Sequence, residues 1–170
     1  MVKLIVAKGK NDVIGKNNNL IWNLPADMRH FTNTTLGSVV IMGRRNWDSI
    51  PLKYRPLKDR INVVITRNKD FTDEQCVIFN SIEDALSFYT NQTKGDVFII
   101  GGGQIYNYSL EKEMVDEMII TEIDADFEGD TWFPKIDSDK WTKSLLFTNE
   151  KDEKNPYSFS VWSYKKKQIF

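Results

Sequence analysis

The sequence predicts an α/β fold built on a mostly parallel sheet. Short apolar runs rich in β-branched residues recur along the chain, helix-start signals fall between them, and two of the runs end in glycine just before a helix. Continuous apolar runs suit strands covered on both faces. Strands alternating with helices are the pattern of a sheet wound by crossover connections.

The first strand is expected at Leu4-Ile5-Val6-Ala7, bounded by Gly9. A polar, asparagine-rich loop follows from Val13, through Gly15 and Trp22, to a helix start at Leu24-Pro25-Ala26-Asp27. Proline fits the first helical turn because its missing N–H would have no partner there. This helix runs toward Gly37, a plausible C-terminal glycine. Strands are expected at Val39–Met42, Ile61–Thr66, Val97–Ile100 and Met118–Thr121. Between them, Gly43 precedes a helix from Arg44 to Ile50 that stops at Pro51. Ser81 and Asp84 form a capping pattern for a helix from Ile82 to Thr90, and Gly101-Gly102-Gly103 precedes a helix to about Leu110. The last third changes style. Trp141–Glu150 and Tyr157–Lys166 read as a hairpin, so the sheet is expected to end in an antiparallel edge. The breaks in style near Val39 and Phe98 suggest a subdomain, roughly residues 38–97, inside a single domain of 1–170.

Bulk properties exclude several classes. The 170 residues are enough for one domain with a substantial core. A net charge of −1 with scattered Lys and Arg argues against nucleic-acid binding. One cysteine, Cys76, excludes an internal disulfide and a multi-cysteine zinc site. One histidine, His30, argues against His-rich metal sites, and it is expected to pack on its helix or face solvent. The N-terminal apolar stretch is short for a signal peptide and no run has the length of a membrane span. A cytoplasmic protein, with no membrane partner, is the expectation.

The candidate chemistry has two parts. Asp27 stands in the first turn of a helix, on the face that carries Phe31, with Met28 one position round. Aspartate there is common because it complements the helix dipole, but a carboxylate set among apolar groups also suits a ligand. The second part is the pair of strand ends, Ile41–Arg45 and Ile99–Tyr106. Glycine lets the backbone approach a ligand, and a helix N-terminus offers free N–H groups to an anion. Two such ends in one sheet suggest an extended diphosphate ligand. Arg44, Arg45 and Thr66-Arg67 add groups whose geometry matches phosphate. A dinucleotide fingerprint of the G-x-G-x-x-G type is only half met. Gly101 and Gly103 begin it and Glu122 has the spacing of the ribose acid, but Tyr106 occupies the position where close helix packing demands a small residue.

These residues, taken together and in order, resemble the dihydrofolate reductase family from end to end. The matching segments are Val13-Ile14-Gly15, Trp22–Asp27, Val40–Arg44, Trp47–Ile50, Arg55-Pro56-Leu57, Arg60-Ile61-Asn62, Ile100–Gly103 with Tyr106, and Gly129-Asp130-Thr131 with Phe133-Pro134. The resemblance implies an α/β fold with an eight-stranded, mostly parallel sheet, an antiparallel C-terminal strand and flanking helices. It implies NADPH as cofactor and dihydrofolate as substrate, with hydride transfer to C6 and protonation of N5. It also implies antifolate inhibitors as further ligands, a monomer, and an adenosine-binding role for the 38–97 subdomain.

By the same resemblance, Asp27, Trp22, Leu20 and Thr121 form the catalytic group, with Thr121 hydrogen-bonded to Asp27. Substrate would meet Ile5, Val6, Ala7, Met28, Phe31, Ile50, Leu57, Ile100 and Thr121, and Arg60 would hold the glutamate carboxylate. The cofactor's 2′-phosphate would lie on Arg44, Thr66 and Arg67, and its pyrophosphate on Arg45, Asn46 and the Gly101–Gly103 turn. Gly43, Gln104 and Ile105 would lie beside them, and Ala7, Ile14, Gly15, Asn18, Ser49, Ile100 and Tyr106 around the nicotinamide. The family's cis peptide falls on Gly101–Gly102. The sequence departs from the usual pattern at Ile21, commonly proline, at Asn46, commonly threonine, and at Asp48, often glutamate. The Pro51–Arg55 connection is longer than in compact members. Two other readings stand against this one: another NADP-dependent pterin-type reductase on the same scaffold, and a nucleotide-binding or structural protein that has lost catalysis. Both predict changes at Asp27, Arg60, Trp22 or the triple glycine, and the residues expected of the enzyme stand at all of them.

Overall fold

The computed structural model describes residues 1–92 and 95–168. The strands are β1 (Val2–Gly9), β2 (Val13–Gly15), β3 (Val39–Gly43), β4 (Ile61–Ile65), β5 (Val77–Phe79), β6 (Val97–Gly101), β7 (Glu117–Ile123), β8 (Thr131–Trp132), β9 (Trp141–Asn149) and β10 (Phe159–Lys166). The helices are α1 (Pro25–Thr35), α2 (Arg44–Ser49), α3 (Ile82–Gln92) and α4 (Gly103–Glu111), with a 3₁₀ turn at Leu52–Tyr54.

Eight strands form one sheet in the order β5-β4-β3-β6-β1-β7-β10-β9. The strands from β5 to β7 are parallel, β10 runs antiparallel to β7, and β9 returns antiparallel to β10. The expected hairpin edge is present. Strands β2 and β8 pair separately and antiparallel.

The sheet is covered on both sides, which is why its central strands read as unbroken apolar runs. Side chains alternate across a strand, so Leu4, Val6, Ile41 and Ile99 enter one core while Ile5, Val40, Met42 and Phe98 enter the other. The chain leaves β1, skips one place to β3, and builds outward to β5. It then returns to lay β6 in the skipped place. Ligand crevices in open α/β sheets form beyond the carboxyl ends of strands near such a reversal. Here β3, β4 and β6 end at Gly43, Ile65 and Gly101, and Ala7 lies two residues before the end of β1 at Gly9.

Each helix has a local cause. α1 begins at Pro25, and Gly37 takes the positive φ of +77° that closes it. In α3 the Asp84 N–H donates to the Ser81 hydroxyl at 3.1 Å, the capping bond the sequence pattern calls for. Among the described residues, no helix is long and apolar enough to cross a membrane.

The β2–β8 ribbon requires a glycine at position 129. A Cβ there would stand 2.5 Å from Val13 Cγ1 and 2.6 Å from the Gly15 carbonyl oxygen. Gly129→Ala is expected to force the two segments apart and destabilise the protein by about 1–3 kcal/mol. Urea unfolding should show a lower midpoint at unchanged slope; an unchanged midpoint would mean the ribbon gives way freely.

Candidate active site

The strand ends open into one long cleft of about 2180 Å³. A pocket for one drug-sized ligand is roughly 300–1,000 Å³, so the cleft has room for two ligands side by side. Every residue named above as catalytic, substrate-contacting or cofactor-contacting lines this cleft.

One end is apolar and holds Asp27. Of the acids lining the cleft among the described residues, Asp27 is buried while Glu83 and Asp130 are exposed. Its backbone N–H donates to the Leu24 carbonyl at 3.0 Å, and the Thr121 hydroxyl donates to its Oδ1 at 2.7 Å. Thr121 sits on β7 opposite Ala7 of β1, so the sheet register aims the hydroxyl at the helix start. Burial pushes the Asp27 carboxyl above the usual carboxylate range, and the Thr121 bond offsets this only in part. Trp22 is buried against Phe127, ring centroids 4.9 Å apart. Met28 and Phe31 continue along the cleft from the same helix. His30 is half-buried, with Nδ1 3.2 Å from the Thr34 hydroxyl and its ring 5.2 Å from that of Phe147, so it packs on the helix as expected.

Arg60 stands further along. Its Nε donates to the Lys58 carbonyl at 3.0 Å and one terminal nitrogen to the Thr35 hydroxyl at 3.1 Å, which fixes the guanidinium and leaves N–H groups on its outer edge. Buried Asn62 shapes the Leu57–Arg60 segment. Its amide exchanges two 2.9 Å bonds with the Leu57 backbone and donates to the Arg60 carbonyl at 3.1 Å.

The other end is made of glycines and cations. Helices α2 and α4 start at Gly43 and Gly102, and neither start has a side-chain cap. The first N–H groups of a helix have no partner within the helix, so both ends are open to an anion. A Cβ at Gly102 would meet nothing within 4 Å, which leaves free space before α4. The Gly101–Gly102 peptide is cis. Behind it, buried Tyr106 donates from its hydroxyl to the Ile5 carbonyl at 2.7 Å. This tie to β1 is a task that the small residue of a dinucleotide fingerprint could not perform. Arg44 lies over the Phe71 ring at 4.1 Å and pairs with Asp48 at 3.5 Å; Arg45 and Arg67 are exposed. Asn46 donates to the Ile100 carbonyl at 3.4 Å, and Ser49 to the Asn46 carbonyl at 2.7 Å.

The Gly15–Leu24 loop borders the middle of the cleft. Asn17 and Asn18 take positive φ, and the Asn17 N–H donates to the Asp130 carboxylate at 2.9 Å. Leu20 is 58% exposed at the loop tip.

Sequence reasoning passed over several lining residues, including Asn68, Asn80, Ser81 and Thr131. Asn80 donates to the Thr66 carbonyl at 2.8 Å and so ties the end of β5 to the end of β4. The signal was β5 itself, a three-residue strand leading into the recognised Ser81 cap. Thr131 meets Gly103, where a Cβ would stand 2.7 Å from its Cγ2.

Comparison with known proteins gives a consistent result. A family model described as dihydrofolate reductase matches residues 1–166. The chain is 41% identical over 165 residues to a dihydrofolate reductase of Staphylococcus haemolyticus, covering 97% of this chain and 95% of the relative. It is 36% identical over 167 residues to one of Bacillus subtilis, covering 98% and 95% respectively. Its structure matches that of dihydrofolate reductase from Enterococcus faecalis in complex with NADP(H) and RAB-propyl. The TM-score is 0.89 at 32% identity, over 99% of this chain and 97% of the other.

The raised Asp27 pKa has a consequence for stability. Above about pH 4 the unfolded chain releases a proton that folded Asp27 retains. Stability therefore falls as pH rises through that window, and stays lower once Asp27 ionises. Asp27→Asn removes this cost and keeps an oxygen to accept from Thr121. Its melting temperature is expected to exceed the native protein's at neutral pH, with the difference closing below about pH 4. Melts at both pH values check this; a variant that melts lower at neutral pH would make the carboxylate net stabilising.

Proposed function

The chain belongs to the dihydrofolate reductase family and reduces 7,8-dihydrofolate to 5,6,7,8-tetrahydrofolate with NADPH, and we propose that Asp27 holds and activates the pterin while the glycine-ended strands hold the cofactor. The observation that carries this assignment is the buried carboxylate of Asp27, hydrogen-bonded to Thr121 in the apolar end of the cleft.

The imine between N5 and C6 of dihydropterin accepts hydride poorly until N5 is protonated. The carboxylate of Asp27 accepts hydrogen bonds from the 2-amino group and N3, which orients the ring and favours the proton on N5. That proton reaches N5 through water. Thr121 holds Asp27 in place, and Trp22 closes the wall behind it. Ile5, Val6, Ala7, Phe31, Ile50 and Ile100 exclude bulk water, Met28 and Leu57 flank the arm of the substrate, and the outer edge of Arg60 takes the glutamate carboxylate. The cleft would hold both reactants together, and positioning of this kind supplies much of the rate.

NADPH, when bound, supplies the hydride from its nicotinamide ring. The residues present fit it. The uncapped starts of α2 and α4 and the open space before Gly102 suit a pyrophosphate, with Arg45, Asn46 and Gln104 beside it. Arg44, Thr66 and Arg67 take the 2′-phosphate, so residues 38–97 act as the adenosine side. Ala7, Ile14, Gly15, Asn18, Ser49, Ile105 and Tyr106 shape the nicotinamide site, and Leu20 closes over it. The same cleft accommodates antifolate inhibitors, a reading supported by the complex of the Enterococcus faecalis relative with NADP(H) and RAB-propyl. One chain builds the whole cleft, which supports a monomer as the working unit. Family membership is the support for a cytoplasmic location.

Loss of reduced-nicotinamide absorbance on adding dihydrofolate tests the activity. Asp27→Asn is expected to lose most turnover at neutral pH, bind NADPH normally, and regain activity in acid, where more substrate carries its own proton. Near-native turnover at neutral pH would remove Asp27 from the mechanism. Replacing Arg44 and Arg67 by alanine is expected to weaken NADPH by about 1.5–3 kcal/mol per lost charged hydrogen bond and to leave NADH unchanged. Equal losses for both cofactors would mean the arginines serve the fold alone.

A further inference from the structure

The loop between β9 and β10 makes a contact that the reaction as described does not use. Helix α1 has Leu24 at its N-cap position, and a leucine side chain cannot accept a hydrogen bond. The Ala26 N–H, one residue before Asp27, instead donates to Oδ1 of Asn155 at 3.0 Å, across 129 positions of sequence. Asn155 is 4% exposed. Its own amide is fixed in turn: Asn155 Nδ2 donates to Asp152 Oδ1 at 3.0 Å, and the backbone N–H groups of Lys154 and Asn155 donate to the same oxygen at 2.9 and 2.8 Å. Two residues on, Tyr157 stands edge-on to Phe127 at 5.2 Å, and Phe127 packs on Trp22 at 4.9 Å. One loop therefore touches both ends of the segment 22–26, by an amide at one end and an aromatic relay at the other.

We propose that Asn155 is a positioning residue for Asp27, acting as a cap supplied by a distant loop of the same chain that fixes the first turn of α1 at the distance from β7 where Asp27 meets Thr121. This rests on the reading of Asp27 as the group that activates the pterin. Pro25 and Ala26 are only partly buried, yet the Ala26 N–H is met by a buried amide from a distant loop where water could have served a helix with no positional task. The Oδ1 dipole also opposes the positive helix end next to Asp27. Removing it leaves the N–H groups of the first turn unopposed and admits water, and both favour the ionised carboxylate. Beside the helix end, burial and then the Thr121 hydroxyl from β7 act on Asp27, and among the described residues no charged side chain contributes, so variants that keep position 155 neutral are read without a competing titration.

The test uses the NADPH-bound enzyme and three variants: Asn155→Ala, Asp152→Ala and Asn155→Ser. Asn155→Ser keeps a neutral acceptor for the Ala26 N–H and adds no charge beside Asp27. Single-turnover hydride transfer in Asn155→Ala is expected to fall roughly tenfold, within the ~100-fold that a 1 Å misplacement costs. The carboxyl ¹³C titration of Asp27 should move to lower pH, and NADPH affinity should stay within about twofold, since the cofactor cradle lies on other elements. Asn155→Ser should recover most of both rate and titration relative to Asn155→Ala. A variant that melts lower but transfers hydride and titrates as the native enzyme does would show an ordinary helix cap and overturn the proposal. If Asn155→Ala does not fold, Asp152→Ala loosens the same amide while leaving it in place, and its two readouts decide in the same way. Asp27→Asn separates the two levels. Full turnover there overturns the acid and this inference together, whereas an inactive Asp27→Asn beside an unaltered Asn155→Ala overturns this inference alone.

Discussion

Keeping one carboxylate out of water sets the terms for the rest of the structure. A carboxylate in an apolar wall costs stability unless its oxygens have partners. Here the fold supplies a hydroxyl from β7 and a helix start that offers no side-chain cap of its own. Two opposing influences meet at Asp27. The helix N-terminus and the Thr121 hydroxyl favour the charged form, burial disfavours it, and burial is the larger. The result is an acid that retains its proton longer than a surface aspartate, beside the place where a ring nitrogen must gain one. The second core, with Ile5, Trp22, Leu24 and Phe98 among its members, is what makes that environment dry.

The opposite end of the cleft follows the reverse logic. There the charges stay in contact with solvent, on Arg45 and Arg67 in particular, and the fixed dipoles of two uncapped helices face outward. The parallel strands create this polarity. Strands that point the same way deliver their carboxyl ends, and the helix starts that follow them, to one rim. The antiparallel pair β9 and β10 lies beyond β7, away from β3 and β4, and its turn reaches back to α1.

Features set by local pattern were readable in the sequence, and features set by distant contacts were not. The apolar runs gave the central strands because burial on both faces leaves no alternation to misread. Pro25, Ser81 and the strand-end glycines marked helix starts because each satisfies a backbone requirement within a few residues. The two-residue β8 and the three-residue β2 and β5 carry too little pattern to stand out, and their pairing depends on partners elsewhere in the chain. Tyr106 read as a mismatch because its hydrogen bond runs to Ile5, across 101 positions. The place of Asn155 was illegible for the same reason. The long-range resemblance of the whole chain supplied the substrate and the role of Asp27, which no single spacing carries.

The late return of β6 to the gap between β1 and β3 has a consequence for how the enzyme comes into being. Until residues 97–101 are made, the strands carrying Ala7 and Gly43 have no partner between them, and the glycine turn and α4 do not yet exist. β1 and β7 then join across more than a hundred positions. Contacts of such separation form slowly, because loop closure must precede any gain from pairing. The pterin end and the cofactor end are thus not assembled early along the nascent chain. The cofactor end waits for β6 and α4, the pterin end waits for β7 to bring Thr121 to Asp27, and a ribosome-bound N-terminal half holds neither.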